Sequence, residues 1–195
     1  MSDFILKDVR LSFPVLWEPR EYQEGDGKPR WSAVFLIPPG SDNDKLVRNA
    51  IKAAADEVFK NRADAMLKSF EGNALKMCYQ DGSKKTYDGY AGMWYLSCHR
   101  AVKTKSGRNH PPKIIDLSKR DVTEESGLIY AGCYVNAKVA IWAQSGANAG
   151  IRGSFSVIQF NRKGDAFGAA APTAADMEDL SDQAEPDLGD TDGLV

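Results

Sequence analysis

Residues 129–143 read IYAGCYVNAKVAIWA, and the two sets of alternate positions differ in chemistry. One set, Ile129, Ala131, Cys133, Val135, Ala137, Val139, Ile141 and Ala143, is apolar throughout; the other is Tyr130, Gly132, Tyr134, Asn136, Lys138, Ala140 and Trp142. Successive side chains of a strand point to opposite faces, so this period of two predicts one long β-strand over 129–143 with one face on a core and the other displayed. The displayed face carries rings, an amide and an ammonium. Rings beside a cation on a solvated sheet suit the stacking of unpaired bases and contacts to the phosphates between them. An amphipathic strand with exposed aromatics and no ligand fits the same pattern.

Working outward, residues 150–162 follow a flexible QSGANAG connection and read as the return strand of a hairpin, with Arg152, Ser154 and Ser156 on one parity and Phe155 and Val157 on the other. Met93–Arg100 alternates again, placing Trp94, Leu96 and Cys98 inward and Tyr95, Ser97 and His99 outward. Trp31–Ile37 is apolar on both parities and bounded by Pro38 and Pro39, as a strand covered on both faces is. Residues 4–13 read as a first strand ended by Pro14, and Leu75–Tyr79 as a short one. One strong helix is predicted after Ser41 or Asp42, from Leu46, Val47, Ala50, Ile51, Ala54, Val58 and Phe59 at three- and four-residue spacing, with a weaker helical stretch over 62–70. The expected fold class is therefore mainly β, a β-barrel with one principal α-helix. Trp31 and Trp94 are assigned to the core.

The net charge of −2 conceals a strong asymmetry. Residues 169–195 hold no Lys or Arg and eight of the 27 acids, leaving 19 acids against 25 Lys and Arg in residues 1–168, a body of +6 and a tail of −8. The tail, rich in Ala, Asp, Gly and Pro, has too little apolar surface to offset its ordering entropy, so disorder is expected. A tethered acidic tail competes with a polyanion for the basic body and can serve as bait for partner proteins; a plain solubilising tail has the same composition. The domain expectation is thus 1–168 folded and 169–195 a disordered acidic tail.

Enzymatic chemistry finds little support. The chain has no phosphate-binding G-x-x-x-x-G-K-[ST] loop, no H-E-x-x-H and no G-x-S-x-G, and it carries only two histidines. Cys78, Cys98 and Cys133 are far apart, and with His99 and His110 they match no zinc spacing, so neither a metal nor another cofactor is expected. There is no run of about eighteen apolar residues, and the chain reads as soluble and intracellular.

The blocks VRLSFPVLWEPR (9–20), KPRWSAVFLIPP (28–39), GYAGMWYLSCHR (89–100), and GLIYAGCYVNAKVAIWA with GIRGSFSVIQFNRKGDAFG (127–143 and 150–168) resemble, in order, the Enc34-like phage single-stranded DNA-binding proteins of the DUF2815 family. The resemblance implies an OB-fold that coats single-stranded DNA in phage replication or recombination, in the cytoplasm of the infected bacterium, with an acidic tail that recruits replication or recombination proteins; self-association on DNA is a separate candidate among the partners, and the sequence does not set the oligomeric state. Two departures accompany it. The tail ends Gly193, Leu194, Val195 where an aromatic residue is common, and the main helix follows the second predicted strand, earlier than the usual OB order places it.

The function expected is non-enzymatic, largely sequence-independent binding of single-stranded DNA. Stacking is assigned to Tyr134, Trp142 and Tyr95, with Trp17, Tyr22, Tyr87 and Tyr90 from loops, and phosphate contacts to Lys138, Arg152, Lys84, Lys85, Arg100, Lys103, Lys105 and Arg30. A strand-annealing mediator and a protein-interaction module that uses the aromatic face are the alternatives.

Overall fold

The structure, a computed structural model, describes residues 2–21, 27–104 and 106–168, with the backbone alone at residue 2. Tyr22, Lys105 and the acidic stretch 169–195 lie outside the described residues. The elements run β1 (Ser2–Arg20), β2 (Arg30–Ile37), α1 (Asp42–Phe59), α2 (Ala63–Phe70), β3 (Tyr79–Asp81), β4 (Trp94–Ala101), β5 (Lys113–Ile115), β6 (Tyr134–Gln144) and β7 (Gly150–Arg162). All seven strands form one sheet in the order β3-β4-β2-β1-β6-β7-β5.

β1 organises this sheet because it changes partner along its length. Residues 2–10 pair with β6 and residues 10–20 with β2, both antiparallel. Three register shifts, between Leu6 and Val9, between Ser12 and Val15 and between Val15 and Arg20, interrupt its ladders, and the first two mark bulges with Asp8 and Phe13 at positive φ of 49° and 46°. Bulges bend a strand and increase its twist, which lets one strand serve both sides of a curled sheet. The sequence expectation that β1 ends at Pro14 is corrected here: Pro14 lies at the second bulge, where a missing N–H costs no ladder bond, and the strand continues to Arg20.

The two ends of the curled sheet meet without a full strand ladder. Ser97 N–H donates to the Cys78 carbonyl (2.8 Å), Cys78 N–H to Ile151 (3.2 Å) and Ile151 N–H to Lys76 (2.7 Å), so residues 76–78 bridge β4 and β7. These residues satisfy the edges of two other strands, and β3 accordingly begins only at Tyr79, which corrects the expected strand over 75–79. Inside the curl lie Leu6, Leu11, Ala33, Phe35, Ile37, Leu96, Cys98, Val135, Val139, Ile141, Phe155 and Ile158, all nearly free of solvent. Trp31 belongs to this core, and Trp94 packs against it.

α1 closes one end of the core with Val47, Ile51, Ala54, Ala55 and Phe59. Ser41 caps it by accepting the Asp44 N–H. Asp44, buried in the first turn, accepts from Gly40 N–H, Tyr79 Oη (2.8 Å) and Arg48 Nε (2.7 Å). Burial alone would raise its pKa, but these three donors hold it below the ordinary carboxylate value.

The long strand expected over 129–143 is shorter than its pattern. Gly132 has φ +106°, and a Cβ there would lie 2.1 Å from the Asp165 carbonyl oxygen, so the chain turns at 130–133 and β6 starts at Tyr134. Within β6 the parity holds up to Val139, with Val135, Ala137 and Val139 buried, Lys138 exposed and Tyr134 and Asn136 half-buried; beyond it Ala140, expected on the displayed face, is buried with Ile141, and Trp142 and Ala143 are both half-buried. Cys78, Cys98 and Cys133 are free, buried thiols, and burial pushes the Cys78 thiol up to about 12.

Candidate nucleic-acid interface

The outer face of the sheet carries one continuous cross-strand row, because residues paired directly across antiparallel strands share a face. Gln80 pairs with Tyr95, Tyr95 with Leu36, Leu36 with Arg10, Arg10 with Tyr134 and Tyr134 with Arg162. The row thus crosses β3, β4, β2, β1, β6 and β7 and ends in rings and guanidinium groups. The next positions inward, Ser97, Val34 and Ser12, are small, so the face falls away beside it.

Three segments build upon this row. Tyr90, from the loop before β4, covers it: Tyr90 is 2% and Tyr95 9% exposed, and both pack with Leu36 in a small second core. These two rings, expected to stack bases, instead support others. Above them stand Tyr87, 52% exposed, and Phe13, 50% exposed, with ring centroids 5.0 Å apart at 78°. Tyr87 also contacts Tyr90 at 5.5 Å. The third segment is the strap after β7. Tyr130 Oη donates to the Gly164 carbonyl (2.8 Å), Phe167 N–H to Ala131 (2.9 Å) and Gly168 N–H to Asp88 Oδ2 (2.8 Å). The strap lays the Phe167 ring 4.3 Å from the Arg10 guanidinium.

The cations here are held by π faces, by carbonyls and, for Arg162, by a carboxylate. Arg10 donates to the Gly132 and Asp165 carbonyls (3.2 and 2.7 Å) and lies 5.7 Å from the Tyr134 centroid. Arg162 lies 3.4 Å from the Tyr134 centroid and forms a bidentate pair with Asp8 (2.9 Å for each bond). Its hydrogen bonds lower the Asp8 pKa, against a smaller effect of burial. Tyr134 therefore has one ring face covered by a guanidinium. Lys84 and Lys85 are exposed in the same loop as Tyr87.

The remaining predicted residues lie elsewhere or are engaged. Trp142 pairs with Arg152, eight residues along β6 from Tyr134, a span of roughly 27 Å. Arg152 donates to the carbonyls of Leu75 and Asn148, Arg100 to those of His110 (2.7 Å) and Phe155 (2.9 Å), and Lys138 pairs with Asp3 (3.4 Å). Arg30 lies at the far end of β2, and Lys103 is exposed beyond β4. His99 faces Arg30 and Arg152; burial first, then their charges, lowers its pKa from 6.5. Trp17 is half-buried and lines a separate cleft with Pro111, Pro112 and Ile114. Of the thirteen expected residues that lie among the described ones, only Tyr87, Lys84 and Lys85 are gathered with open surface at the aromatic end, with Tyr134 beside them.

Sequence reasoning missed Phe13, Arg10, Arg162 and Phe167. Phe13 shares parity with Val9 and Leu11 and so reads as core, and only the bulge turns it outward; the adjacent Pro14 was the available signal.

Comparison with known proteins bears on this arrangement. The family model for the single-stranded DNA-binding protein of Enterobacter phage Enc34 matches residues 2–188. "Putative protein p50" of Acyrthosiphon pisum secondary endosymbiont phage 1 is 34% identical over 186 residues, 94% of this chain and 96% of that protein. Among solved structures, the single-stranded DNA-binding protein of bacteriophage Enc34 in complex with single-stranded DNA superposes with TM-score 0.65 at 18% identity, over 85% of this chain and 89% of that one. The single-stranded DNA-binding protein gp2.5 of bacteriophage T7 superposes with TM-score 0.57 at 12% identity, over 92% and 98%. These two likenesses are of fold, and they agree with the OB-like curl expected. By the family match and the 34% identity, the chain belongs to the Enc34-type phage single-stranded DNA-binding protein family.

Proposed function

We propose that this protein binds single-stranded DNA with little regard to overall sequence and coats it during phage replication or recombination inside the infected host. The observation that carries this reading is the pair of half-exposed rings, Phe13 and Tyr87, which line one cavity with the Phe167 ring that Arg10 faces and stand with Lys84 and Lys85 in the Tyr87 loop, in a chain of this family. Exposed rings cost solvation unless something covers them. Bases do so whatever their identity, because each has a π face, while the cations take the phosphates between them. The function proposed is binding, not chemistry. The acidic stretch 169–195 acts in it as an electrostatic competitor for the strand and as a recruiting segment for replication proteins.

The test is equilibrium binding of fluorescent oligo-dT by the full-length protein across a salt series. The expected result is an affinity that falls linearly in log–log form, with a slope of roughly 0.7 per phosphate neutralised. Phe13→Ala with Tyr87→Ala should lose roughly 1–3 kcal/mol for each base that no longer stacks. Absence of binding at low salt would overturn the reading and turn attention to these rings as a protein interface.

A further inference from the structure

Beside the exposed rings lies a cavity of about 320 Å³, lined by Ser12, Phe13, Thr86, Tyr87, Asp88, Ala131, Phe167 and Gly168. Its volume is at the lower end of the range for small-ligand sites, roughly 300–1,000 Å³, which leaves room for one flat ring system. Among the described residues, three of the lining side chains are aromatic, and Asp88 is the single charged one. A carboxylate beside a strand of phosphates weakens non-specific attraction, so its presence here calls for a compensating contact.

The position of Asp88 supplies that contact. Its Oδ2 accepts the Gly168 N–H at 2.8 Å, which fixes the carboxylate against the strap. Among the described residues, Oδ1 has no hydrogen-bond donor. An ionised carboxylate only accepts. Cytosine and adenine offer it an exocyclic N–H₂, and guanine offers an N–H beside its amino group. Thymine offers a single N3–H flanked by two carbonyl oxygens that repel a carboxylate.

We propose that this cavity takes one base of the bound strand and favours bases with an exocyclic amino group over thymine, with Asp88 as the group that reads it. The inference rests on the single-stranded DNA reading above and adds to it a base preference at one position. Stacking elsewhere on the surface stays indifferent to sequence.

The experiment compares full-length protein on two fluorescent oligonucleotides of equal length, one of thymidine and one of 5-methyl-deoxycytidine, at neutral pH and fixed salt. The two bases share the ring methyl group and differ at the 4-amino and N3 positions, so stacking is matched. The oligonucleotide of 5-methyl-deoxycytidine should bind roughly three- to tenfold tighter, the size of one net hydrogen bond. In Asp88→Asn the side chain keeps an acceptor for the Gly168 N–H and gains a donor that suits thymine, so the ratio should fall to about one or invert, even as both affinities rise with the lost negative charge. Equal affinities in the native protein overturn the proposal, as does a preference that survives in Asp88→Asn. If neither oligonucleotide binds, the function itself is wrong and this site falls with it.

Discussion

Phe13 is a bulky residue at positive φ, a backbone state that costs roughly 1–3 kcal/mol and persists only where the surroundings impose it. The result of that strain is a ring turned out of the core parity onto Tyr87. Stability and binding should therefore separate at this position. Phe13→Gly relieves the strain while losing an edge contact to Tyr87 and a tilted one to Tyr90, each worth roughly 0.5–1.5 kcal/mol, so unfolding in urea should move by less than about 1 kcal/mol. Oligo-dT affinity should drop by roughly 1–3 kcal/mol. A matched loss in both measurements would make Phe13 a packing residue. His99 gives a second test at this scale. Its folded pKa lies below the unfolded value near 6.5, so between the two the unfolded chain binds more protons. Stability should be full above that window and fall as pH drops through it. NMR titration of the His99 ring, with the urea midpoint followed over the same range, checks both statements.

At the scale of elements, the seam between β4 and β7 is closed by the backbone of residues 76–78 and, beyond it, by a side chain. Arg100 reaches from β4 to the Phe155 carbonyl of β7 and the His110 carbonyl, and burial lowers its pKa, as for a structural group and unlike a phosphate hook. Arg100→Met should cost about 2 kcal/mol in urea denaturation, from two lost charge-assisted hydrogen bonds in a part-buried site. It should leave the salt slope of DNA binding unchanged, whereas loss of a phosphate contact would lower that slope by roughly 0.7. This seam also shows where sequence reading ran out. The alternation in 134–139, the strand at 31–37 and the helix cap at Ser41 are local patterns, and each is visible in the residues that make it, although 31–37 is covered on both faces only at Phe35–Ile37, with Ser32 and Val34 half-buried. Which carbonyl Arg100 reaches, and that Arg10 stands between Tyr134 and Leu36, depend on register between strands far apart in the chain. The glycine at 132 was legible as a residue but not as a turn, since what forbids a Cβ there is the Asp165 carbonyl, 33 positions away.

For the whole molecule, the charge asymmetry meets the fold at one point. The last described residue, Gly168, lines the aromatic cavity, so the stretch bearing −8 is joined to the body of +6 at the rim of the proposed site. Removing residues 169–195 should tighten oligo-dT binding severalfold at low salt. The advantage should shrink as salt rises and the Debye length falls below about 10 Å. A second truncation separates the acidic run from the strap. A chain ending at Arg162 also lacks Phe167, the Asp165 carbonyl that holds Arg10, and the Gly164 contacts of Tyr130. Arg10 would then be free to leave the row, and the cavity would lose one wall. The chain ending at Gly168 should therefore bind tightest, and the one ending at Arg162 should forfeit that gain although the net charge it has lost is the same −8, nine acids offset by Lys163. Equal affinities for the two truncated chains would show that the strap contributes nothing to the interface and that charge alone accounts for the difference.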